Sequence, residues 1–222
     1  GLGEATNIRP AAGDFRAGNR LSAPRRLSPE DIALLASMNV ASVTVARRPS
    51  VALISTGDEL VMPGENPGPD QIIASNTFGL HALLRNLGAA PRLLPIARDT
   101  RASLATAFDL AAGADLVVTI GGASVGDHDL VADVTSERGM ERAFYKVAMR
   151  PGKPLMAGRL GDAMMLGLPG NPVSAMVCGH VFLAPVIRAM IGLAAAPAPR
   201  ITAPLAAGIA TNGPREHYMR AT

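Results

Sequence analysis

Leu116 to Ile120 is an unbroken run of five apolar or β-branched residues, and it ends directly on Gly121-Gly122-Ala123-Ser124-Val125-Gly126-Asp127-His128-Asp129. A run this short and apolar, followed by small residues and then by a helical pattern, reads as a buried strand that ends in a loop and re-enters as a helix. In a parallel α/β sheet such a loop lies at the carboxyl edge, where ligands bind. Without large side chains, its backbone N–H groups can converge on an oxyanion. The carboxylates behind it can hold a divalent cation or orient a reacting group. An ordinary glycine turn between strand and helix fits the same residues.

The rest of the chain extends this pattern. Val51–Ser55, Leu93–Ala97, Leu155–Gly158 and Ala163–Leu168 read as further strands, and Arg142–Met149 alternates like a half-exposed one. Helices are expected from an Asn76 cap through Leu80, Leu83, Leu84 and Leu87 to a stop at Gly88, over Thr100–Ala112, over Leu130–Arg138, and from Pro172 to about Met190 with a kink or break at Pro185. Strands separated by helices of this length predict an α/β fold, a doubly wound, mostly parallel sheet, flanked by partial β-rich domains. Residues 50–192 would form that domain. Residues 1–49 read as the tail of N-terminal domains, with one short helix from Pro29 to Met38 after Ser28-Pro29-Glu30-Asp31 and a strand Ser42–Ala46. Residues 193–222 read as a linker and the start of a C-terminal β domain. The chain opens Gly-Leu-Gly, and it reads as a piece of a longer protein.

Composition narrows the function classes. The net charge is +3, yet there is no dense Lys/Arg tract interleaved with aromatics, so nucleic acid is not an expected partner. No stretch of eighteen apolar residues free of charge or proline occurs, so no membrane is expected either. The single Cys178 lies in an apolar run and reads as a core thiol. His180 reads as a core or core-edge residue, and His81, His128, His180 and His217 lack metal-ligand spacing.

Four more loops gather chemistry. Ser55-Thr56-Gly57-Asp58-Glu59-Leu60 follows the first strand; glycine allows a tight turn, hydroxyls can bind oxyanions and acids can meet a metal or an amine. Arg98-Asp99-Thr100 follows the next, with a plain helix cap as the alternative for Asp99. In Lys146-Val147-Ala148-Met149-Arg150-Pro151-Gly152-Lys153-Pro154, an extended strand would point Lys146, Ala148 and Arg150 the same way over roughly 13 Å. These basic groups suit a phosphate, or else a solvated edge strand. Leu166-Gly167-Leu168-Pro169-Gly170-Asn171-Pro172-Val173-Ser174 makes a helix N-terminus whose free N–H groups beside Ser174 would bind an anion.

Taken in this order, these loops resemble one family. Ser-Thr-Gly-Asp-Glu-Leu, Ser-Asn before a helix, Arg-Asp, Gly-Gly-Ala-Ser-Val-Gly-Asp-His-Asp, Arg-Pro-Gly-Lys-Pro and Leu-Pro-Gly-Asn-Pro-Val-Ser look like the molybdopterin molybdenumtransferases, the MoeA and gephyrin E-domain group. The opening Asn-Ile-Arg-Pro-Ala-Ala-Gly-Asp-Phe-Arg-Ala-Gly also looks like that family's segment before this domain, so the likeness runs through residues 7–220. The resemblance implies a cytoplasmic transferase of molybdenum cofactor biosynthesis. Molybdate would enter the dithiolene of adenylylated molybdopterin with release of AMP, assisted by Mg2+, in a full-length homodimer whose partner subunit contributes across the cleft. The alternative is a non-catalytic molybdopterin-binding or scaffolding member of the same family.

By this resemblance Glu59, Asp99, Asp129, Lys146 and Arg150 are the catalytic positions, with Asp99 and Asp129 nearest the metal or phosphate. Gly121, Gly122, Ala123, Ser124, Val125 and Gly126 would cradle the pterin phosphate. Thr56, Gly57, Asp58, Ser75, Asn76, Pro151, Gly152, Lys153, Pro169, Gly170, Asn171, Pro172 and Ser174 would complete the substrate site. Three positions depart from the pattern: Arg150 stands where Lys is expected, Ala123 is smaller than the usual Val, and Ala74 replaces an acid.

Overall fold

The structure is a computed structural model that describes residues 10–122, 129–219 and 221. The chain forms two compact units, residues 1–46 and 47–222.

In the first unit the expected helix is present as α1 (Pro29–Ser37). The Ser28 side chain accepts from the Asp31 N–H, and the Asp31 carboxylate accepts from the Ser28 N–H, so the acid at the third helical position closes a capping box. Ser42–Ala46 is not a strand. Val43 and Val45 have β propensity but are exposed, and without a ladder to join, propensity alone does not make one.

The second unit contains β1 (Ser50–Ser55), β2 (Leu60–Val61), β3 (Ile72–Ile73), α2 (Ser75–Asn86), β4 (Ala90–Leu93), α3 (Arg101–Leu110), β5 (Leu116–Ile120), α4 (Leu130–Glu137), β6 (Glu141–Tyr145), β7 (Met149–Arg150), β8 (Met156–Leu160) and β9 (Ala163–Leu168). A long final helix and β10 (Glu216–His217) complete it. Six strands form one sheet in the order β4-β1-β5-β9-β8-β6. The first four are parallel, β8 runs against them, and β6 pairs antiparallel to β8, so its end lies on the same edge as the ends of β1, β5 and β9. The α/β, mostly parallel sheet is as expected.

Alternation along β1 sets the two layers. Val51 and Leu53 join Leu80, Leu84, Leu166, Ala175, Cys178, Leu183 and Ile187 on one face. Ala52 and Ile54 join Leu104, Phe108, Val117, Val131, Val134 and Met165 on the other. The buried Cys178 thiol is pushed up to about 12 by desolvation.

The final helix runs from Pro172 to Met190 as α5 (Pro172–Cys178), a π turn (Gly179–Leu183) and α6 (Ala184–Met190). Pro185 explains the π turn. Its ring would strike the carbonyl four residues earlier, and the backbone widens there, with the Ala184 N–H bonding back to Gly179. This helix is long and apolar enough to cross a membrane by composition. Its Ala175, Cys178, Leu183 and Ile187 are, however, fully buried in the sheet core. His180, expected in or near the core, is exposed.

Other boundaries shift. The strand expected at Leu93–Ala97 lies at Ala90–Leu93, on the sheet edge, where Pro91 costs no ladder bond. The strand expected at Arg142–Met149 is instead Glu141–Tyr145, and all of it but Tyr145 is exposed. The expected Leu155–Gly158 strand starts one residue later and runs on to Leu160. Among the described residues from 193 onward, only Glu216–His217 is a strand, paired in parallel with β7.

Candidate active site at the carboxyl edge

The sheet reverses its winding at β1: the chain goes from β1 outward to β4 and then returns to β5 on the other side. A switch point therefore opens between β1 and β5, the position at which doubly wound sheets bind ligands. The loops leaving these strands are joined by backbone hydrogen bonds. Gly57 N–H donates to Ala97 (3.1 Å), Thr56 N–H to Ile120 (3.0 Å), and Gly121 N–H to Leu168 (3.1 Å). Four loops are thus pinned edge to edge before any side chain contributes.

Glycine is required where they touch. Gly121 has φ +96°, and a Cβ there would come within 2.6 Å of the Thr56 carbonyl oxygen; a Cβ on Gly170 would lie 3.2 Å from Gly121 Cα. The resulting cavity of about 320 Å³ is lined by Thr56, Glu59, Ser75, Asn76, Gly121 and Gly170, together with Asn171 and Pro172. Asn76 Nδ2 donates to the Gly170 carbonyl at 2.6 Å, bridging α2 to the loop after β9. Thr56 Oγ1 is buried and has no hydrogen-bond partner among the described residues, an orphan hydroxyl at the switch point.

A second group sits beside the cavity. The Arg98 guanidinium donates to the carbonyls of Gly57, Asp58 and Leu60 at 3.0–3.3 Å, and the Asp99 N–H donates to Asp58 Oδ1 at 3.0 Å. Asp99 is exposed at the surface, yet partial desolvation, reinforced by the charges of Asp58 and Glu59, raises its carboxyl above its ordinary value. Crowded carboxylates of this kind favour a divalent cation or a ligand cation.

The third group lies at the ends of β5 and β6. Asp129 is buried; one carboxylate oxygen accepts from the Ala132 N–H at 2.9 Å and caps α4, the other accepts from the Tyr145 hydroxyl at 3.0 Å. Lys146 has φ +66°, a left-handed conformation uncommon for a residue with a Cβ. This turn breaks strand alternation and lays the Lys146 ammonium over the ring of its own neighbour, 4.8 Å from the Tyr145 centroid.

The model of a family described as probable molybdopterin binding domain matches residues 52–189 of this chain. The chain belongs to that family. It is 41% identical to the molybdopterin molybdenumtransferase of Nostoc sp. over 192 residues, 84% of this chain and 44% of the relative. It is 36% identical to molybdopterin molybdenumtransferase 2 of Mycobacterium tuberculosis over 224 residues, 97% of this chain and 55% of the relative. Among solved structures, a molybdopterin biosynthesis MoeA protein from Pyrococcus horikoshii superposes with a TM-score of 0.68 at 34% identity, over 76% of this chain and 42% of that one. The chain spans about half the length of these relatives.

Within this molybdopterin-binding domain the expected residues fall into distinct places. Thr56, Glu59, Ser75, Asn76, Gly121, Gly170, Asn171 and Pro172 line the one cavity. Gly57 and Pro169 are buried, Gly122 packs beside Thr56 and Val131, and Asp58 and Asp99 are exposed. Ala123, Ser124, Val125, Gly126, Asp127 and His128 lie outside the described residues.

The basic loop differs from expectation. Lys146, Ala148 and Arg150 do not share the face of one extended strand, because the chain turns at Lys146 and β7 is separate. Arg150 and Pro151 instead line a larger opening of about 960 Å³ with Val173, His217, Tyr218 and Met219. Lys153 is exposed, and Gly152 is buried against Cys178.

Three capping expectations also change. Asn76 is not a helix cap: the cap position is Ala74, two residues earlier, and the Asn76 amide is spent on Gly170. Thr100, not Asp99, caps α3. The N–H groups expected to be free near Ser174 are not free. Asn171 Oδ1 accepts from the N–H groups of Val173 and Ser174 and from the Ser174 hydroxyl, so this helix start is satisfied internally. Among the described residues no group of three or more His, Cys, Asp or Glu is arranged to hold a metal.

Tyr145 was not legible as a site residue. Its only sequence signal is its position before Lys146, and its bond to Asp129 spans 16 residues.

Proposed function

We propose that the protein carrying this domain inserts molybdate into the dithiolene of adenylylated molybdopterin and hydrolyses the adenylate, releasing AMP. One observation supports this most: a glycine-walled cavity at the sheet's switch point, with the orphan Thr56 hydroxyl beside it and carboxylates and cations on the same edge. The names of the molybdenumtransferase relatives point the same way.

The residues divide the work by charge. Gly121 and Gly170 let backbone approach an anion, and Thr56, Ser75 and Asn76 supply neutral donors at the cavity wall. Lys146 and Arg150 offset phosphate or molybdate charge, and the rate gain comes from positioning and electrostatic stabilisation. Asp129, fixed by two hydrogen bonds, orients the attacking water by accepting a hydrogen bond from its O–H on a remaining lone pair. Lys153, exposed beyond Gly152, would meet the incoming oxyanion.

Mg2+ when bound would neutralise phosphate charge. Asp99, exposed and with Asp58 and Glu59 beside it, fits this role better than Asp129, which is buried. Mg2+ usually takes one or two carboxylates and completes its shell with water and phosphate, so a three-residue cluster is not required. The same reading makes the protein a cytoplasmic homodimer in its full length.

The test is to incubate the protein with adenylylated molybdopterin, Mg2+ and molybdate and to follow AMP. AMP release that depends on molybdate is expected. Binding without any AMP release favours the non-catalytic pterin-binding alternative.

A further inference from the structure

We propose that Tyr145 is a positioning residue, its hydroxyl fixing the Asp129 carboxylate while its ring seats the Lys146 ammonium. This rests on the functional reading above for its catalytic consequence, but the arrangement itself stands on geometry.

Three contacts meet on this one side chain. The phenol donates to Asp129 Oδ2 at 3.0 Å. The Lys146 ammonium lies 4.8 Å from the ring centroid and the Arg142 guanidinium 5.3 Å from it. Consecutive residues on a strand normally face opposite ways. Lys146 reaches the ring because its φ of +66° turns the chain at the end of β6. Strain of this kind persists where the surroundings hold it, and here the Lys146 N–H is tied to the Leu155 carbonyl at 2.8 Å.

The chemistry of the pairing explains its use. A lysine beside a buried carboxylate ordinarily closes into a direct ion pair, which would occupy the ammonium. The aromatic face offers the ammonium a second seat that leaves its N–H donors open to an oxyanion. The hydroxyl meanwhile prevents the Asp129 carboxylate from rotating about its other bond, to Ala132. One side chain therefore keeps acid and cation near each other without letting them cancel.

Two substitutions separate the roles. Tyr145→Phe keeps the ring and loses the hydrogen bond; kcat for AMP release should fall roughly tenfold with KM unchanged. Tyr145→Leu loses both, and KM should rise as well. A structural readout on the 222-residue chain itself runs alongside: it has no Trp and two Tyr, so Tyr218→Phe leaves Tyr145 as its single main emitter. A carboxylate that accepts from a phenol quenches its emission, so Asp129→Asn in this background should brighten it.

Unchanged emission in Asp129→Asn overturns the pairing, and parental kcat in Tyr145→Phe overturns the positioning role. A parent that releases no AMP contradicts the functional reading instead, and emission alone then decides Tyr145.

Discussion

Asn76 Nδ2 lies 2.6 Å from the carbonyl oxygen of Gly170, so the first turn of α2 is tied directly to the loop that leaves β9. Both residues line the switch-point cavity, and the bond joins two of its walls. Asn76→Ala removes a neutral hydrogen bond worth about 1 kcal/mol, and the two walls lose their register. Molybdopterin affinity should drop about fivefold in a calorimetric titration, with the thermal midpoint little changed.

Arg98 performs the same service for the loop after β1, donating to three of its carbonyls. Arg98→Ala leaves those acceptors to water and should lower unfolding free energy in urea by about 1–2 kcal/mol. Limited proteolysis should now cut between Gly57 and Leu60.

Asp129→Asn should abolish molybdate-dependent AMP release while the fold is nearly unchanged. Asparagine caps helices as well as aspartate does, so the bond from Ala132 survives while the negative charge is lost. Circular dichroism and the AMP assay on one preparation check both halves.

Acid sensitivity should come from the opposite end of the sheet. The Arg47 guanidinium forms a bidentate pair with Asp115, the Ser50 N–H adds a third bond, and together they lower the Asp115 carboxyl from 3.8 to about 2. A carboxyl depressed in the folded state stabilises fully above its ordinary value, and that contribution is lost as pH falls toward 2. Asp115→Asn should flatten the stability profile across that window and leave its neutral-pH slope alone. Denaturation measured along a pH series checks the sign.

How much of this was written in the sequence differs by element. β5 and β9 were legible to the residue, because buried strands of a parallel sheet are short apolar runs, here closed by Gly121 after β5 and by Pro169-Gly170 after β9. The start of α1 at Ser28-Pro29-Glu30-Asp31 was legible because its signals are local, although the reciprocal bond from Asp31 appeared only in the structure. Edge strand β4 was not, since Pro91 and Arg92 disguise a strand that only half buries itself. The loops of the cavity could be named in order, yet their joining depends on strand neighbours such as Ile120 and Thr56, far apart in the chain. Lys146 was legible as a basic site residue but its left-handed turn was not, and with the turn went the geometry of the whole basic loop.

The central claim is that the cavity between Thr56, Asn76, Gly121 and Gly170 receives the pterin phosphate. A crystal structure of the protein soaked with molybdopterin tests it most directly. Ligand density seated there, with phosphate oxygens against the Gly121 loop, is the predicted result; ordered ligand bound elsewhere with this cavity empty would contradict it.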